Sequence, residues 1–215
     1  MSSRRNFLRN SALLAASSAL PMSKGYGENT GSSKSISPEH GCPPYKNTYI
    51  KNVFVTENEF RNAPRKIIAS PGFDKAKGLL PQPFWKGNNQ AIDMYWKAWE
   101  IAFRNIKDPN EKNGFISSYI DTAYNGNIFM WDSTFITMFA RYGYRAYPFQ
   151  HTLDNFYAKQ HPDGFICREI WGDTGEDCFH RYDPTSTGPN LIPWSEFVFF
   201  KQYSDLDRIH KIFPV

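Results

Sequence analysis

The chain has 215 residues, of which 40% are hydrophobic, 17% aromatic and 21% charged. This composition is typical of a packed globular domain and excludes wholesale disorder. The formal net charge is +4, and residues 1–41 contribute +3 of it through five Lys and Arg against two Glu, so the rest of the chain is nearly neutral and gives no reason to expect nucleic-acid binding.

Residues 1–22 have the pattern of an export signal. The basic stretch SSRRNFLRN precedes the apolar segment SALLAASSAL, which is too short to span a bilayer. The pair Arg4 and Arg5, followed by Phe7 and Leu8, is typical of a twin-arginine signal, with an ordinary secretory signal as the alternative. The apolar segment lacks Leu-x-x-Cys. We therefore expect a periplasmic or secreted protein whose mature chain has no membrane anchor.

Residues 23–80 are expected to form a linker and an N-terminal extension, because residues 23–47 are rich in Gly, Ser, Pro and Asn. Of the three cysteines, Cys167 and Cys178 can pair across their short loop and leave Cys42 free, but the spacing does not decide this. The five histidines show no metal-ligand spacing on one helix face. We expect neither a metal nor a cofactor.

Five helices are predicted in residues 81–215 from the spacing of apolar side chains. The predicted ranges are 90–107, 132–142, 149–160, 193–203 and 205–213. Asn88 or Asn89 can cap the first helix, Pro109 follows it, and Pro193 suits a first helical turn. In the second helix the residues predicted to face inward are Phe135, Met138, Phe139 and Tyr142.

The long polar segment 161–192 separates the third and fourth predicted helices. A connection of this length in a compact domain is usually functional or disordered, and the aromatic residues in this one favour an ordered structure. Helices joined alternately by short turns and long polar loops are typical of helical hairpins with a working face at one end. The fold class expected from this pattern is all-α.

Three stretches carry a resemblance to a known family: FMWDSTFITMFARYG, QHPDGFICREIW and TGPNLIPWSEFVFFKQYSDLDRIHKIFP. They are similar to the first half of an (α/α)6-toroid glycoside hydrolase, in the clan that includes trehalases, the processing α-glucosidase and mannosylglycerate hydrolase-like enzymes. The resemblance covers about residues 81–215 and implies an incomplete (α/α)6 toroid. These enzymes usually carry Pro-Pro where this chain has Pro189 and Asn190, which leaves the polar contacts at positions 188–190 open.

The resemblance implies an exported, inverting glycoside hydrolase that acts on a glucoside- or mannoside-type oligosaccharide or glycoside. Inversion needs a carboxylic acid and a second carboxylate about 6.5 to 9.5 Å apart. In the clan these lie beyond the matched half, so we expect a truncated enzyme that lacks its catalytic residues and is inactive alone. The alternative is a non-catalytic carbohydrate-binding or interaction module.

An incomplete toroid is further expected to leave apolar helix faces uncovered and to make residues 80–215 prone to association. The aromatic residues expected on these faces are Trp96, Trp99, Phe103, Phe139 and Phe199.

The candidate sugar-binding residues are Trp131, Asp132, Arg168, Glu169 and Trp171. Asp132 can act as a helix cap, or it can accept hydrogen bonds from two vicinal sugar hydroxyls while Trp131 covers the C–H face of the ring. Either tryptophan can instead belong to the core. Arg168 and Glu169 can be a solvated ion pair, whereas the corresponding pair in the resembling enzymes lines the sugar pocket.

The neighbouring acidic cluster Asp173, Glu176 and Asp177 lacks the regular alternation of a calcium loop and is expected to be a solvated loop.

Overall fold

The computed structural model describes residues 49–183 and 188–215. The predicted export signal, Cys42 and the N-terminal part of the predicted linker lie outside these residues. Within them, no helix combines the length and the apolar character that crossing a membrane requires.

The described residues contain six α-helices and four short strands. The helices are α1 (Phe73–Ala76), α2 (Asn89–Arg104), α3 (Met130–Ala140), α4 (Asp154–Ala158), α5 (Ile192–Tyr203) and α6 (Leu206–Ile212). The strands are β1 (Ile106–Lys107), β2 (Tyr119–Ile120), β3 (Ile128–Phe129) and β4 (Glu169–Ile170). Three 3-10 helices, Lys77–Leu79, Arg141–Gly143 and Phe149–Leu153, adjoin α1, α3 and α4.

The expectation of an all-α, incomplete (α/α)6 toroid is wrong. β1 pairs with β2 and β3 pairs with β4, both antiparallel, so the described residues combine helices with two small sheets. Each strand is only two residues long, which is too short for an alternating pattern to identify it in the sequence. The third predicted helix also differs, since it consists of a 3-10 helix followed by the five residues of α4.

The capping signals of the sequence were more reliable than the helix lengths. The Asn88 side chain accepts a hydrogen bond from the Ala91 N–H at 3.1 Å and begins α2. Asp205 caps α6 in the same way through the Arg208 N–H at 2.9 Å, and Pro193 lies in the first turn of α5. α2 ends at Arg104, earlier than predicted, because β1 begins at Ile106.

The predicted inward face of α3 is wrong for its aromatic residues. Phe135 and Phe139 are 43% and 41% exposed, and Tyr142, in the 3-10 helix that follows α3, is 51% exposed. The buried residues of α3 are Met130, Ser133, Thr134, Thr137 and Ala140. α3 packs against α5 on this side, where the hydroxyls of Thr137 and Ser195 lie 2.8 Å apart. The threonine hydroxyls also bond to carbonyls one turn earlier, which makes their burial tolerable.

Two aromatic-rich clusters form the core. One joins α1, α2, β2 and the 3-10 helix before α4, through buried residues that include Leu80, Trp99, Phe103 and Phe149. The other surrounds β3, β4 and α4 and includes Phe115, Ile128, Phe156 and Ile170. The expectation that these aromatic residues lie on uncovered helix faces is therefore wrong for Trp99, Phe103 and Phe199, which are at most 5% exposed. Phe139, at 41%, is exposed as expected. Trp96 is half-buried.

A buried ionic network connects α4, α5 and α6. Arg208 donates two hydrogen bonds to the Glu196 carboxylate, at 2.8 and 2.7 Å. Its Nη2 also forms an ion pair with Asp154 Oδ1 at 2.9 Å. Burial alone would raise the pKa of Asp154, but the Arg208 charge and the hydrogen bond with His151 outweigh it and hold that pKa below its ordinary value. The network thus favours the ionised form of the Asp154 carboxylate.

Substituting Gly143 by alanine is expected to destabilise the fold by about 1 to 3 kcal/mol through overpacking. A Cβ at this position would lie 2.7 Å from the Trp99 ring and 3.0 Å from Leu80 Cδ2. The matched control is Gly78→Ala, since a Cβ there meets nothing within 4 Å. Urea unfolding of both variants checks this, and equal midpoints would contradict the close packing at Gly143.

Replacing Arg208 by methionine is expected to cost about 3 to 5 kcal/mol near neutral pH, because two buried carboxylates lose their counter-charge. The pKa of Asp154 is lowered in the fold, so this stabilisation exists above the ordinary carboxyl pKa and is lost as the pH falls through the folded value. The difference between wild type and variant should therefore shrink in acid.

Urea unfolding at neutral and at acid pH measures this difference. Lys211→Met, which removes an exposed cation three residues further along the chain, serves as the control with a change within about 0.5 kcal/mol. A difference between wild type and Arg208→Met that does not change with pH would show that the ionised carboxylates are not the cause.

Candidate functional site

The pairing of β3 with β4 places two of the three family-like stretches side by side. Ile128 pairs with Ile170 and Phe129 with Glu169, and the Met130 N–H donates to the Arg168 carbonyl at 2.8 Å. Ile128 and Ile170 are 1% and 0% exposed, so the small sheet is anchored in the core. α3 therefore begins directly beside residue 168.

A cavity of about 180 Å³ opens at this junction. Its lining residues are Phe129, Met130, Trp131, Asp132, Arg168, Gly188 and Pro189. Three of the five candidate residues, Trp131, Asp132 and Arg168, thus share one cavity. Glu169 and Trp171 do not line it.

Asp132 is the acidic residue of the first turn of α3 and is exposed at the cavity. The residue at the capping position is Phe129, and no side chain makes a capping hydrogen bond there. Within residues 49–183 and 188–215, the Asp132 carboxylate has no hydrogen-bond or ion-pair partner. The positive end of the helix dipole favours its charge. Both carboxylate oxygens are therefore available to a ligand.

Trp131 is not a core residue, because 51% of it is exposed. Its ring contacts Phe135 with centroids 6.1 Å apart, and Phe135 in turn contacts Trp194 of α5 at 6.4 Å. The indole is thus supported by a neighbouring ring and still presents apolar surface beside the Asp132 carboxylate.

The position of the Arg168 side chain depends on its contacts with the Phe179 ring and with the backbone of Gly188. Its guanidinium carbon lies 3.9 Å from the centroid of Phe179, a cation–π contact. A Cβ on Gly188 would lie only 2.8 Å from Arg168 Cβ, so the glycine permits the side chain to pass close to the backbone. The Arg168 Nε is buried and has no hydrogen-bond partner in the part of the chain that the structure describes. It is therefore an unpaired buried donor in a residue that lines the cavity.

The sequence left the polar contacts at positions 188–190 open, and in the structure these three residues have two different roles. Gly188 and Pro189 form part of the cavity wall. Asn190 instead turns its side chain to the start of α5, where its Oδ1 accepts from the Ile192 N–H at 3.2 Å. We therefore expect no ligand contact from Asn190.

Glu169 has a structural contact of its own. Its Oε1 accepts a hydrogen bond from Asn127 Nδ2 at 2.8 Å, across the β3–β4 pair. No ion pair joins it to Arg168 among the described residues, since its carboxylate is turned to Asn127. Trp171 is 46% exposed and its backbone N–H bonds to the Glu176 carbonyl at 2.9 Å.

The neighbouring loop holds further polar contacts. Asp177 Oδ2 lies 2.6 Å from His161 Nε2, so this carboxylate already has a partner. Across the described ranges, no group of three or more His, Cys, Asp or Glu side chains could hold a metal ion.

Cys167 and Cys178 are both free thiols, so the disulfide that the sequence left open does not form. Burial raises the pKa of Cys167 to about 11. Burial, followed by the nearby Glu169 charge, raises that of Cys178 to about 12. Both are therefore protonated and poorly nucleophilic near neutral pH. Cys167 is 0% exposed and its Sγ lies 3.0 Å from the Glu169 carbonyl, which makes it part of the packing beneath β4.

Sequence reasoning missed Phe179, Gly188 and Asn127, each of which positions a candidate residue. Nothing in the residues near Phe179 or Gly188 points to Arg168, which lies 11 and 20 positions earlier. Asn127 lies two residues before the FMWDSTF stretch. A polar residue at the start of this apolar run was the one sequence signal that pointed to Asn127.

Asn127 and Glu169 are expected to be energetically coupled by about 1.5 to 3 kcal/mol, the range for a hydrogen bond to a charged group. Truncation of Asn127 to alanine removes the hydrogen-bond donor to the Glu169 carboxylate. Asn127 is 3% exposed, so water does not readily take the place of that donor. A double-mutant cycle of Asn127→Ala and Glu169→Ala in urea unfolding measures the coupling. The control cycle pairs Asn127→Ala with Glu100→Ala on α2, and additivity in both cycles would contradict the prediction.

Comparisons with known proteins give no further identification. No protein-family model matches the chain, and searches of curated proteins and of solved structures found no significant match. The function must therefore be inferred from the residues of the cavity and from the three family-like stretches.

Proposed function

We propose that the cavity at the start of α3 binds one sugar ring of an oligosaccharide or glycoside, as part of a glycoside hydrolase. The observation that carries this proposal is the Asp132 carboxylate, which lines the cavity without a described partner and lies next to the exposed Trp131 indole. Carboxylates and aromatic rings meet the two chemical features of a sugar, its vicinal hydroxyls and its apolar C–H face.

The three cavity side chains have complementary tasks in this proposal. The two oxygens of Asp132 accept hydrogen bonds from neighbouring hydroxyls, and Trp131 covers the C–H face of the ring. Arg168, fixed by Phe179 and Gly188, donates to a ring or hydroxyl oxygen. A cavity of about 180 Å³ is smaller than the roughly 300 to 1,000 Å³ that encloses a drug-sized ligand, so one ring fits and further units extend into solvent.

The enzyme class in this proposal depends on the three family-like stretches. They favour an inverting hydrolase of glucoside- or mannoside-type substrates, and residues 1–22 favour a periplasmic or secreted location. Glu169 and Trp171, outside the cavity, are proposed to support its wall without touching the sugar.

A carbohydrate-binding module without catalysis is the second candidate. Inversion requires two carboxyl groups, and Asp132 is the one carboxylate among the described residues that line the cavity. The proposal therefore assigns sugar binding to Asp132 and assigns no catalytic acid or base.

Asp132→Asn is expected to weaken binding of a glucoside or mannoside by about a hundredfold or more, since two charge-assisted hydrogen bonds contribute roughly 1.5 to 3 kcal/mol each. The stability of the fold should change by at most about 1 kcal/mol, because no capping hydrogen bond is lost. Isothermal titration with methyl glucosides and methyl mannosides, together with thermal unfolding, measures both effects.

The matched control is Asp74→Asn, because Asp74 is an exposed first-turn residue of α1 outside the cavity. Its affinity should equal that of wild type. Unchanged binding by Asp132→Asn would refute the sugar site, and a lowered melting temperature alone would assign Asp132 to helix stabilisation. Release of a sugar with inverted configuration would support the enzyme, whereas binding without hydrolysis is expected of both candidates, because the proposal assigns no catalytic acid or base to the described residues of the cavity.

A further inference from the structure

The chain contains two Asn-Gly dipeptides, Asn113-Gly114 and Asn125-Gly126. This pair of residues is chemically labile, because glycine offers no Cβ to hinder attack of its backbone nitrogen on the preceding side-chain amide. The two sites share most of their local geometry. In both, the asparagine Oδ1 accepts a hydrogen bond from the backbone N–H two residues later, at 3.0 Å, and the glycine has a positive φ.

The environment of Asn125 leaves it open to this reaction. Asn125 and Gly126 are both exposed, and a Cβ built on Gly126 meets nothing within 4 Å. The Asn127 N–H that bonds to Asn125 Oδ1 polarises the side-chain carbonyl and can stabilise the negative charge that forms on its oxygen during attack. In the described part of the chain, no hydrogen bond engages the departing Nδ2.

The environment of Asn113 has the opposite effect. Asn113 is 1% exposed, and its Nδ2 donates to the Gly172 carbonyl at 2.8 Å. The backbone carbonyl of Asn113 packs so closely against Gly175 that a Cβ on Gly175 would lie 1.7 Å from the Asn113 backbone oxygen. Reaction at Asn113 requires this region to open first, which reduces its rate by the population of the open form.

We propose that Asn125 is a site of spontaneous deamidation and isoaspartate formation in the native protein, and that Asn113 is protected from it. The Gly126 backbone nitrogen gives its proton to water and attacks Asn125 Cγ. Nδ2 of the resulting intermediate takes up a proton from water, the Cγ–Nδ2 bond breaks, and ammonia leaves with a succinimide ring formed. Water then adds to either carbonyl of that ring. Opening gives aspartate in one case and isoaspartate, with one extra methylene in the main chain, in the other.

The product changes the segment that leads into β3. Each outcome adds a negative charge two residues before Asn127, the donor to Glu169. Isoaspartate also displaces the Gly126 carbonyl, and the space there is limited, because a Cβ on Gly172 would lie 1.9 Å from this oxygen. The modification therefore acts on the connection between β3 and the loop after β4.

One proteolytic peptide tests the proposal. Trypsin releases residues 113–141 as a single fragment, because no Lys or Arg lies between Lys112 and Arg141, and this fragment carries both asparagines. The full chain is incubated at mildly alkaline pH, with and without concentrated urea, then digested rapidly at acidic-to-neutral pH. Fragment-ion masses locate the amide-to-acid change at each position. Isoaspartyl methyltransferase labelling identifies the isoaspartate.

In the native chain Asn125 should react about tenfold or more faster than Asn113, since the latter must first break its buried side-chain hydrogen bonds. In urea the two rates should converge, and both should rise with pH because the attacking nitrogen must be deprotonated. Asn125→Gln, which keeps the amide but requires a larger and slower-forming ring, should abolish the reaction at position 125 and leave the Asn113 rate unchanged.

Equal native rates at the two sites would overturn the proposal, and so would an Asn125 that reacts in urea but not in the native chain. If Asn125→Gln alters the Asn113 rate, the variant has opened the fold. Asn125→Ser then replaces Asn125→Gln as the test variant. Loss of the isoaspartate signal from the peptide, with an unchanged deamidation rate at Asn113, supports the proposal. An isoaspartate signal that persists at another position of the peptide, at the wild-type rate, refutes it.

Discussion

The arrangement of the candidate site depends on one antiparallel pairing, that of Ile128–Phe129 with Glu169–Ile170. These segments are about forty residues apart in sequence. They are joined by a short ladder, by the bond from the Met130 N–H to the Arg168 carbonyl, and by the bond from Asn127 Nδ2 to the Glu169 carboxylate. The ladder is effective because Ile128 and Ile170 are fully buried, so water does not compete for its hydrogen bonds. The start of α3 and the Arg168 side chain meet because of this pairing.

The parts of the fold that depend on neighbouring residues could be predicted from the sequence. Asn88 and Asp205 cap their helices and Pro193 occupies a first turn, because each acts on backbone groups within three or four residues. The strands could not be predicted, since a two-residue strand has no measurable period and its partner lies far along the chain. The face of α3 was misjudged for a different reason: Thr137 meets Ser195 in the interior, and the aromatic residues stay outside.

In the candidate site, too, some residues could be predicted from short sequence motifs and others could not. Trp131, Asp132 and Arg168 were chosen from short motifs, and the structure places them around one cavity. Glu169 and Trp171 were chosen together with Arg168 from the stretch QHPDGFICREIW, but neither lines the cavity, and the Glu169 carboxylate bonds to Asn127 instead. Gly188 supports Arg168 through a contact that depends on the absence of a side chain, and such a contact leaves no chemical signature in the residue itself. The assignment of sugar binding thus has its firmest basis in the residues at the start of α3.

The Arg208 guanidinium has a consequence for how the molecule fluctuates. A helix of seven residues such as α6 would by itself open readily, because so short a helix has little intrinsic stability. Opening it here withdraws the counter-charge of both Glu196 and Asp154 and leaves two carboxylates in an interior that disfavours them. α4, α5 and α6 are therefore expected to behave as one cooperative unit, with the amide hydrogens of α6 exchanging with solvent as slowly as those of the helices it contacts.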